Sequence, residues 1–258
     1  MNRLIKTPAD IVLLRESGKR LSSIVSKVAA AVAPGVTTGE LDALARREIA
    51  VLGDKPAFLN YRPQGAPKPY PAALCVSVNE EIVHGIPGER ILEEGDIVTV
   101  DLGLNHQGRF TDMALTVPVG AVEASLLPFL DACKRSLEAG IAAAKPGNRI
   151  GDISAAVSQT VKAAGYVVIR ELAGHGVGYG VHEDPYVPNY GPAGKGMKLE
   201  PGMVIAIEPM IALSGKGNIV LEDDDFTYAT EDGSLSAHFE HTVLIGETGP
   251  EVLTALAD

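Results

Sequence analysis

Between Asp96 and Val117 the chain alternates apolar and polar residues along two runs, DIVTVDLGL and RFTDMALTV, on either side of a tight Asn105–Gly108 turn. A period of two is the pattern of a half-buried strand, and the interruption predicts a β-hairpin. On the first strand Ile97, Thr99 and Asp101 share one face and Val98, Val100 and Leu102 the other. On the second, Asp112, Ala114 and Thr116 share a face, opposite Met113, Leu115 and Val117. A turn centred between His106 and Gln107 would set Asp101 directly across from Asp112. Directly opposed side chains lie roughly 5 Å apart, where two carboxylates repel. Such a pair requires an Arg or Lys, a shared proton or a metal ion beside it.

Upstream the pattern becomes helical. Thr7-Pro8-Ala9-Asp10 predicts a helix start: Thr7 caps free amides, Pro8 sits where no N–H is needed, and Asp10 complements the dipole. That helix is expected to run towards Ala33, stopped by Pro34-Gly35. Thr38 is the expected cap of a second helix with Leu41, Leu44, Ala45, Ile49 and Leu52 on one face and Gly53 at its end. Lys55 to Ala73 reads as a loop containing Phe58, Tyr61 and Tyr70, and Leu74–Val78 as a strand.

The order then repeats. Pro34, Gly35, Gly39 and Gly53 recur 112 positions later as Pro146, Gly147, Gly151 and Gly165. The run Leu92 to Asp101 resembles Leu199 to Glu208 at an offset of 107, and Thr111 to Val117 aligns with Phe239 to Ile245 at an offset of 128. Three blocks in one order imply an internal duplication. They predict an α+β chain forming one domain of two pseudo-symmetric halves, about 1–120 and 121–258, with helices on one side of a mostly antiparallel sheet.

The duplication has a chemical consequence. Asp101 maps on Glu208 and Asp112 on Glu240, so a pseudo-two-fold would gather four carboxylates at one centre. Four buried negative charges are too costly without compensation, and two divalent cations would supply it. His175, in Ala173-Gly174-His175-Gly176-Val177-Gly178, adds one imidazole on a backbone whose glycines permit close approach. Singly, His175 reads as a loop residue, Glu208 as a strand-end charge before Pro209, and Glu240-His241 as a solvated edge. Their occurrence at repeat-related positions favours the centre. Oxygen-rich ligands with one nitrogen suit Mn, Fe or Co, with Zn or Ni open, and exclude a thiolate structural zinc site.

Composition narrows the class. Hydrophobic residues make up 46% and charged residues 21% of 258, a globular balance that excludes global disorder. A net charge of −11 argues against electrostatically driven nucleic-acid binding. No apolar run approaches the roughly 20 residues that span a bilayer. MNRLIKTPAD lacks the apolar core of a leader, and Cys75 and Cys133 are isolated. A reducing cytoplasm is the expected location.

Together VSVNEEIVHGIP, DIVTVDLG, TDMALTV, ELAGHGVGYGVHEDPYVPN, LEPGMVIAIEPM and GSLSAHFEHT resemble the bacterial type I methionine aminopeptidases over nearly the whole length. The resemblance implies the duplicated pita-bread fold and removal of N-terminal methionine before a small second residue, by hydrolysis assisted by two divalent ions. It places the ligands at Asp101, Asp112, His175, Glu208 and Glu240, with Glu208 also the general base. It further implies that His84 and His182 contact substrate near the scissile bond. Asn79 and Ser236 match positions for a monovalent cation. Tyr70 and Cys75, with Phe58, Tyr61 and Phe226, match the methionine pocket. The implied partner is a peptide or nascent chain beginning with Met, bound by a monomer without nucleic acid or membrane.

The chain departs from the family in its longer loop Arg62–Pro69 and in Phe226, where many relatives carry Trp; Trp is absent here. The acidic run Glu222–Asp225, read as a solvated loop, gives no support to ribosome docking. Two rival readings remain. An Xaa-Pro aminopeptidase or prolidase uses the same metals but generally carries an additional N-terminal domain, whereas the catalytic-type pattern here begins at Ile5. A binding module on this fold typically loses ligands, and all five are present.

Overall fold

A computed structural model describes residues 4–62 and 67–256. Residues 63–66 of the expected long loop fall outside the described residues.

Helix α1 (Pro8–Ala30) starts where expected, because Thr7 and Asp10 satisfy each other's backbone amides in a capping box. It stops three residues before Ala33, since the Ala31 and Val32 amides already bend back to carbonyls of the last turn. Helix α2 (Thr38–Val51) is capped by Thr37 and not by Thr38. Glu40, three residues past Thr37, closes a second capping box, while the Thr38 hydroxyl bonds the Gly88 backbone instead.

The first half continues with β1 (Lys55–Pro56), β2 (Leu74–Val78), β3 (Glu81–Val83), β4 (Ile97–His106) and β5 (Arg109–Pro118). β5 pairs along the whole of β4, which leaves β1 and β2 to share its other edge. Leu21, Val25, Val28, Leu41 and Ile49 of the helices pack on Val98, Val100, Leu102 and Met113 in one buried cluster. That cluster takes the apolar face of the hairpin, so Asp101 and Asp112 are turned to the opposite side.

The hairpin register differs from the expectation. Asp101 opposes Ala114 and Asp112 opposes Gly103, with the ladder closing at His106–Arg109. The turn is Gln107-Gly108, at φ 50° and 79°, and two positive φ values suit a two-residue turn that follows the strands' twist. Moving the turn centre by one residue moves the pairing by two. The carboxylates therefore keep their common face and meet diagonally.

The second half contains α3 (Leu126–Ala143), α4 (Ile150–Ala163), β6 (Val167–Val168), β7 (Ala173–Gly176) and β8 (Glu183–Pro188). It continues with β9 (Val204–Ile207), β10 (Met210–Ala212), β11 (Ile219–Leu221) and β12 (Tyr228–Thr230). β13 (Ser236–His238), β14 (His241–Ile245) and β15 (Pro250–Val252) complete it. Its main sheet runs β15-β14-β9-β7-β8, with two smaller sheets, β13-β10-β6 and β11-β12-β3, beside it. Phe129, Leu137, Ile153 and Val157 of α3 and α4 cover Ile205, Ile207, Val243 and Ile245.

The duplication is visible bond by bond. Gly35 N to Leu92 O, Thr38 N to Arg90 O and Gly39 N to Gly88 O recur as Gly147 N to Leu199 O, Ile150 N to Met197 O and Gly151 N to Lys195 O. All six fall between 2.8 and 3.0 Å. Gly35 and Gly147 both hold φ +91°, a left-handed backbone that favours glycine. The halves join where the Thr242 hydroxyl accepts from Asp112 N and donates to Asp112 O, each at 2.8 Å, and where Glu240 N donates to Ala114 O at 2.9 Å. That seam puts residues of both halves around one point.

Candidate metal centre

At the seam stand Asp101 of β4, Asp112 of β5, His175 of β7, Glu208 just past β9 and Glu240 just before β14. One ligand atom from each of Asp101, Asp112 and Glu240 lies within 4.8 Å of the others, and so do atoms of His175, Glu208 and Glu240. A third such group joins Asp112, His175 and His182, and Glu240 belongs to two of the three. The four carboxylates are 8% exposed or less. Burial raises the Asp101 carboxyl to about 7 and Glu208 to about 7, and pushes Asp112 and Glu240 well above the ordinary range. Oxygens of Asp101 and Asp112 lie within 4.8 Å of each other. Asp101 Oδ1 and Glu240 Oε1 are buried without a hydrogen-bond partner. No Lys or Arg is among the described residues lining the cavity at this point. Of the three compensations open to the hairpin pair, a proton or a metal remains.

His175 is oriented for the second. Its Nδ1 lies 2.9 Å from Gly176 O, a carbonyl that can only accept, so Nδ1 carries the hydrogen. Burial first of all lowers this imidazole to about 4 and keeps it neutral. Nε2 then presents a lone pair, 3.3 Å from Glu208 Oε1. A lone pair and a carboxylate oxygen side by side converge on a cation, and a ring held through its other nitrogen to a carbonyl is the usual support of a metal-binding histidine. The neighbouring glycines make this position possible. A Cβ on Gly174 would sit 2.3 Å from Ala206 O, and one on Gly176 2.0 Å from Asp184 O. The donor set and the orphaned oxygens fit divalent metal ions.

His84 and His182 flank the centre from separate loops and line the same cavity. His182 stacks edge-on against His175 at 4.4 Å between ring centroids, and its Nδ1 is 2.9 Å from the Tyr61 hydroxyl. His84 holds φ 61°, an uncommon backbone conformation for a side chain without glycine's freedom. The loop bearing His182 is tied down by Lys6 to Glu183, by Tyr179 to Asp10 and by Phe110 N to Gly178 O. Asp10 also accepts from Arg109. Burial alone would raise Asp10, but bonds from Thr7, Tyr179 and Arg109 outweigh it and lower the carboxyl.

The cavity measures about 290 Å³ and is lined by the carboxylates together with Phe58, Tyr61, Tyr70, Cys75 and Phe226. Tyr70 and Phe226 meet edge-to-face at 5.3 Å, and Cys75 opposes Asp101 directly in register. The apolar pocket therefore abuts the carboxylates. Val181 joins this cluster without having been singled out from the sequence; it lies beside His182, and only depth distinguishes it. Within the acidic run, Asp224 accepts from Phe226 N, Thr227 N and the Thr227 hydroxyl, so part of that run holds the pocket wall.

Asn79 and Ser236 come together differently from a side-chain pair. The Asn79 side chain donates to Asp96 and accepts from Ile97 N, whereas its carbonyl accepts from Ser236 N and the Ser236 hydroxyl donates to Glu81 O. His238 is the residue that sequence reasoning passed over. It is 1% exposed, with Nε2 3.4 Å from Glu208 Oε2. A histidine two places before Glu240 carries no spacing signal that separates it from His241.

A buried carboxylate cluster with one preoriented imidazole, at the seam of a duplicated α+β fold, defines the metallohydrolase class. Residues 12–247 match metallopeptidase family M24. The chain is 42% identical over 251 residues to methionine aminopeptidase 1 of Bacillus subtilis, covering 97% of this chain and 98% of that protein. It is 42% identical over 250 residues to methionine aminopeptidase of Aquifex aeolicus, covering 96% of each. The crystal structure of methionine aminopeptidase from Thermotoga maritima superposes with a TM-score of 0.92 at 43% identity, covering 97% of this chain and 98% of that one. Prolidase from Pyrococcus horikoshii shares the fold alone, with a TM-score of 0.76 at 23% identity over 64% of its own length. The chain belongs to metallopeptidase family M24 and, within it, to the methionine aminopeptidases, with their pita-bread fold. Among the described residues no helix is long and apolar enough to cross a membrane.

Proposed function

We propose that this chain removes the N-terminal methionine from peptides and nascent chains with a small second residue, using two divalent ions held by Asp101, Asp112, His175, Glu208 and Glu240. The observation that carries this reading is the sharing of Glu240 between two groups of ligand atoms directly beside an apolar, aromatic pocket. When bound, the ions supply an activated water near neutral pH and polarise the scissile carbonyl. Cobalt, manganese, iron, zinc and nickel all suit the donor set.

The remaining work falls to side chains. Glu208, raised to about 7, can take a proton from the attacking water and return it to the leaving amine. His182, its Nδ1 engaged by Tyr61, has Nε2 free to donate to the carbonyl oxygen as charge develops there, and His84 faces the same space. Phe58, Tyr61, Tyr70, Cys75 and Phe226 form a site for an unbranched thioether, whose sulfur gains from aromatic edges. The carbonyls of Asn79 and Glu81 with the Ser236 hydroxyl offer oxygens to a monovalent cation behind the site. The enzyme is read as a monomeric, cytoplasmic, single-domain catalyst of two pseudo-symmetric halves, acting without nucleic acid or membrane.

Chelated and metal-replenished protein should release Met from Met-Ala-initiated peptides and not from Met-Lys-, Ala-Ala- or Ala-Pro-initiated ones. Cleavage of the Ala-Pro peptide instead would favour the prolidase reading. No cleavage with any metal would favour a binding module.

A further inference from the structure

We propose that His238 is a positioning residue for Glu208, donating its Nε2–H to Glu208 Oε2 and so reserving Oε1 for the ions and the transferred proton. This rests on the metal-dependent reading above. The His238 backbone is fixed in place: its N donates to Thr116 Oγ1 at 2.9 Å, its carbonyl accepts from the same hydroxyl at 2.8 Å, and it pairs with Met210 across β13 and β10. The ring is buried, and neither nitrogen has a hydrogen-bond partner. Nε2 stands 3.4 Å from Glu208 Oε2, close enough to bond but not aligned.

The proton inventory decides the direction. A neutral imidazole has one N–H and one lone pair, and a lone pair facing a carboxylate oxygen is repelled. At His238, outside the groups of mutually close ligand atoms, the tautomer that suits this contact is the one with its hydrogen on Nε2. His175 cannot serve the same purpose, because its hydrogen is committed to Gly176 O through Nδ1. Among the described residues, these two histidines are the only basic side chains within 4.0 Å of the Glu208 carboxylate. The carboxylate thus has two unlike sides: Oε1 against a lone pair, where a cation belongs, and Oε2 against a donor. The His238 nitrogens stand outside the groups of mutually close ligand atoms, so its part is to orient a ligand and not to be one.

Three measurements on the full chain test this. Calorimetric titration with Mn²⁺ should show ion affinity about 10- to 100-fold weaker in His238→Met, with kcat on Met-Ala-Ser lowered on a similar scale and KM unchanged. His238→Gln, whose amide can donate, should recover most of both losses. Equal behaviour of the two variants, whether both intact or both impaired, would overturn the proposal. Long-range ¹H–¹⁵N spectra of the unsubstituted, zinc-loaded protein need no variant to fold beyond His238→Gln for assignment. They should show His238 as the Nε2–H tautomer, and an Nδ1–H tautomer would overturn the proposal outright. If the parent protein released no methionine while ion affinity still separated the variants, the enzymatic reading would fall and the positioning role would stand.

Discussion

At the scale of single residues, burial favours the protonated form of each carboxyl at the centre. Asp101 and Glu208 are raised to about 7 by burial, and Asp112 and Glu240 well above the usual range. A carboxyl with a raised folded-state pKa contributes stability that is complete below its unfolded value and lost as pH rises through the folded one. Half-buried His84 and His175 and buried His238, lowered from 6.5 to about 4 chiefly by desolvation, act the other way: their contribution is present above 6.5 and lost as pH falls. The trends oppose each other below 6.5, and above it the carboxylates dominate. Melting temperature of the metal-free protein should therefore fall from about pH 6.5 to about pH 8, and saturating Mn²⁺ should cancel the fall. A flat profile without metal would contradict the assignment. Glu208→Gln should lower kcat about 10²- to 10⁴-fold while raising the metal-free melting temperature near pH 8, since it removes a buried charge and a base together. Activity assays and calorimetry on one preparation check both. The four carboxylates proposed as ligands were legible from repeat-related spacing, and His175 from its glycine-flanked run. His84 and His182 were reachable only through family resemblance, because a loop histidine carries no period. His238 was reachable through neither, since its distinguishing property is burial beside Glu208.

At the scale of elements, most of the pattern was readable and the errors were of one to three residues. Thr37 carries the cap because Glu40 follows it by three, a spacing that was available in the sequence. The hairpin turn is Gln107-Gly108 because glycine accepts its φ of 79° at the second position. Neither shift moved a functional side chain to another face, since a register change of two preserves the alternation. The strand bearing His175 tolerates less. β7 is pressed between β8 and β9, and a Cβ on Gly176 would meet Asp184 O at 2.0 Å. Gly176→Ala should force β7 from β8, swing the imidazole off the centre and weaken Mn²⁺ binding about 10- to 100-fold, with a lower melting temperature. Calorimetric titration and a thermal melt read both. Unaltered ion affinity would show that His175 is not held by this contact.

At the scale of the whole molecule, the repeat did the most to reveal the fold, because equivalent glycines and prolines mark equivalent backbone turns. Gly39 and Gly151 donate to chain segments 107 positions apart, at Gly88 and Lys195, so the two halves reuse one helix-to-loop clasp. What the repeat could not reveal is the pocket, which breaks the symmetry. Phe226 and Val181 come from second-half loops to complete walls begun by Phe58 and Tyr70, and no spacing links segments so far apart. Asp224 likewise reads as one more charge in an acidic run until its bonds to Phe226 and Thr227 are seen. The fold thus places a charged centre on its pseudo-symmetric seam and an apolar pocket to one side. The most direct test of that arrangement is a parallel titration of the metal-free protein with Mn²⁺, following ion binding and Met-Ala-Ser hydrolysis together, in the parent and in Asp112→Asn. Two ions bound per chain, hydrolysis rising with occupancy, and loss of both in the variant are the expected result. Hydrolysis that persists in the chelated protein, or full ion binding in Asp112→Asn, would contradict it.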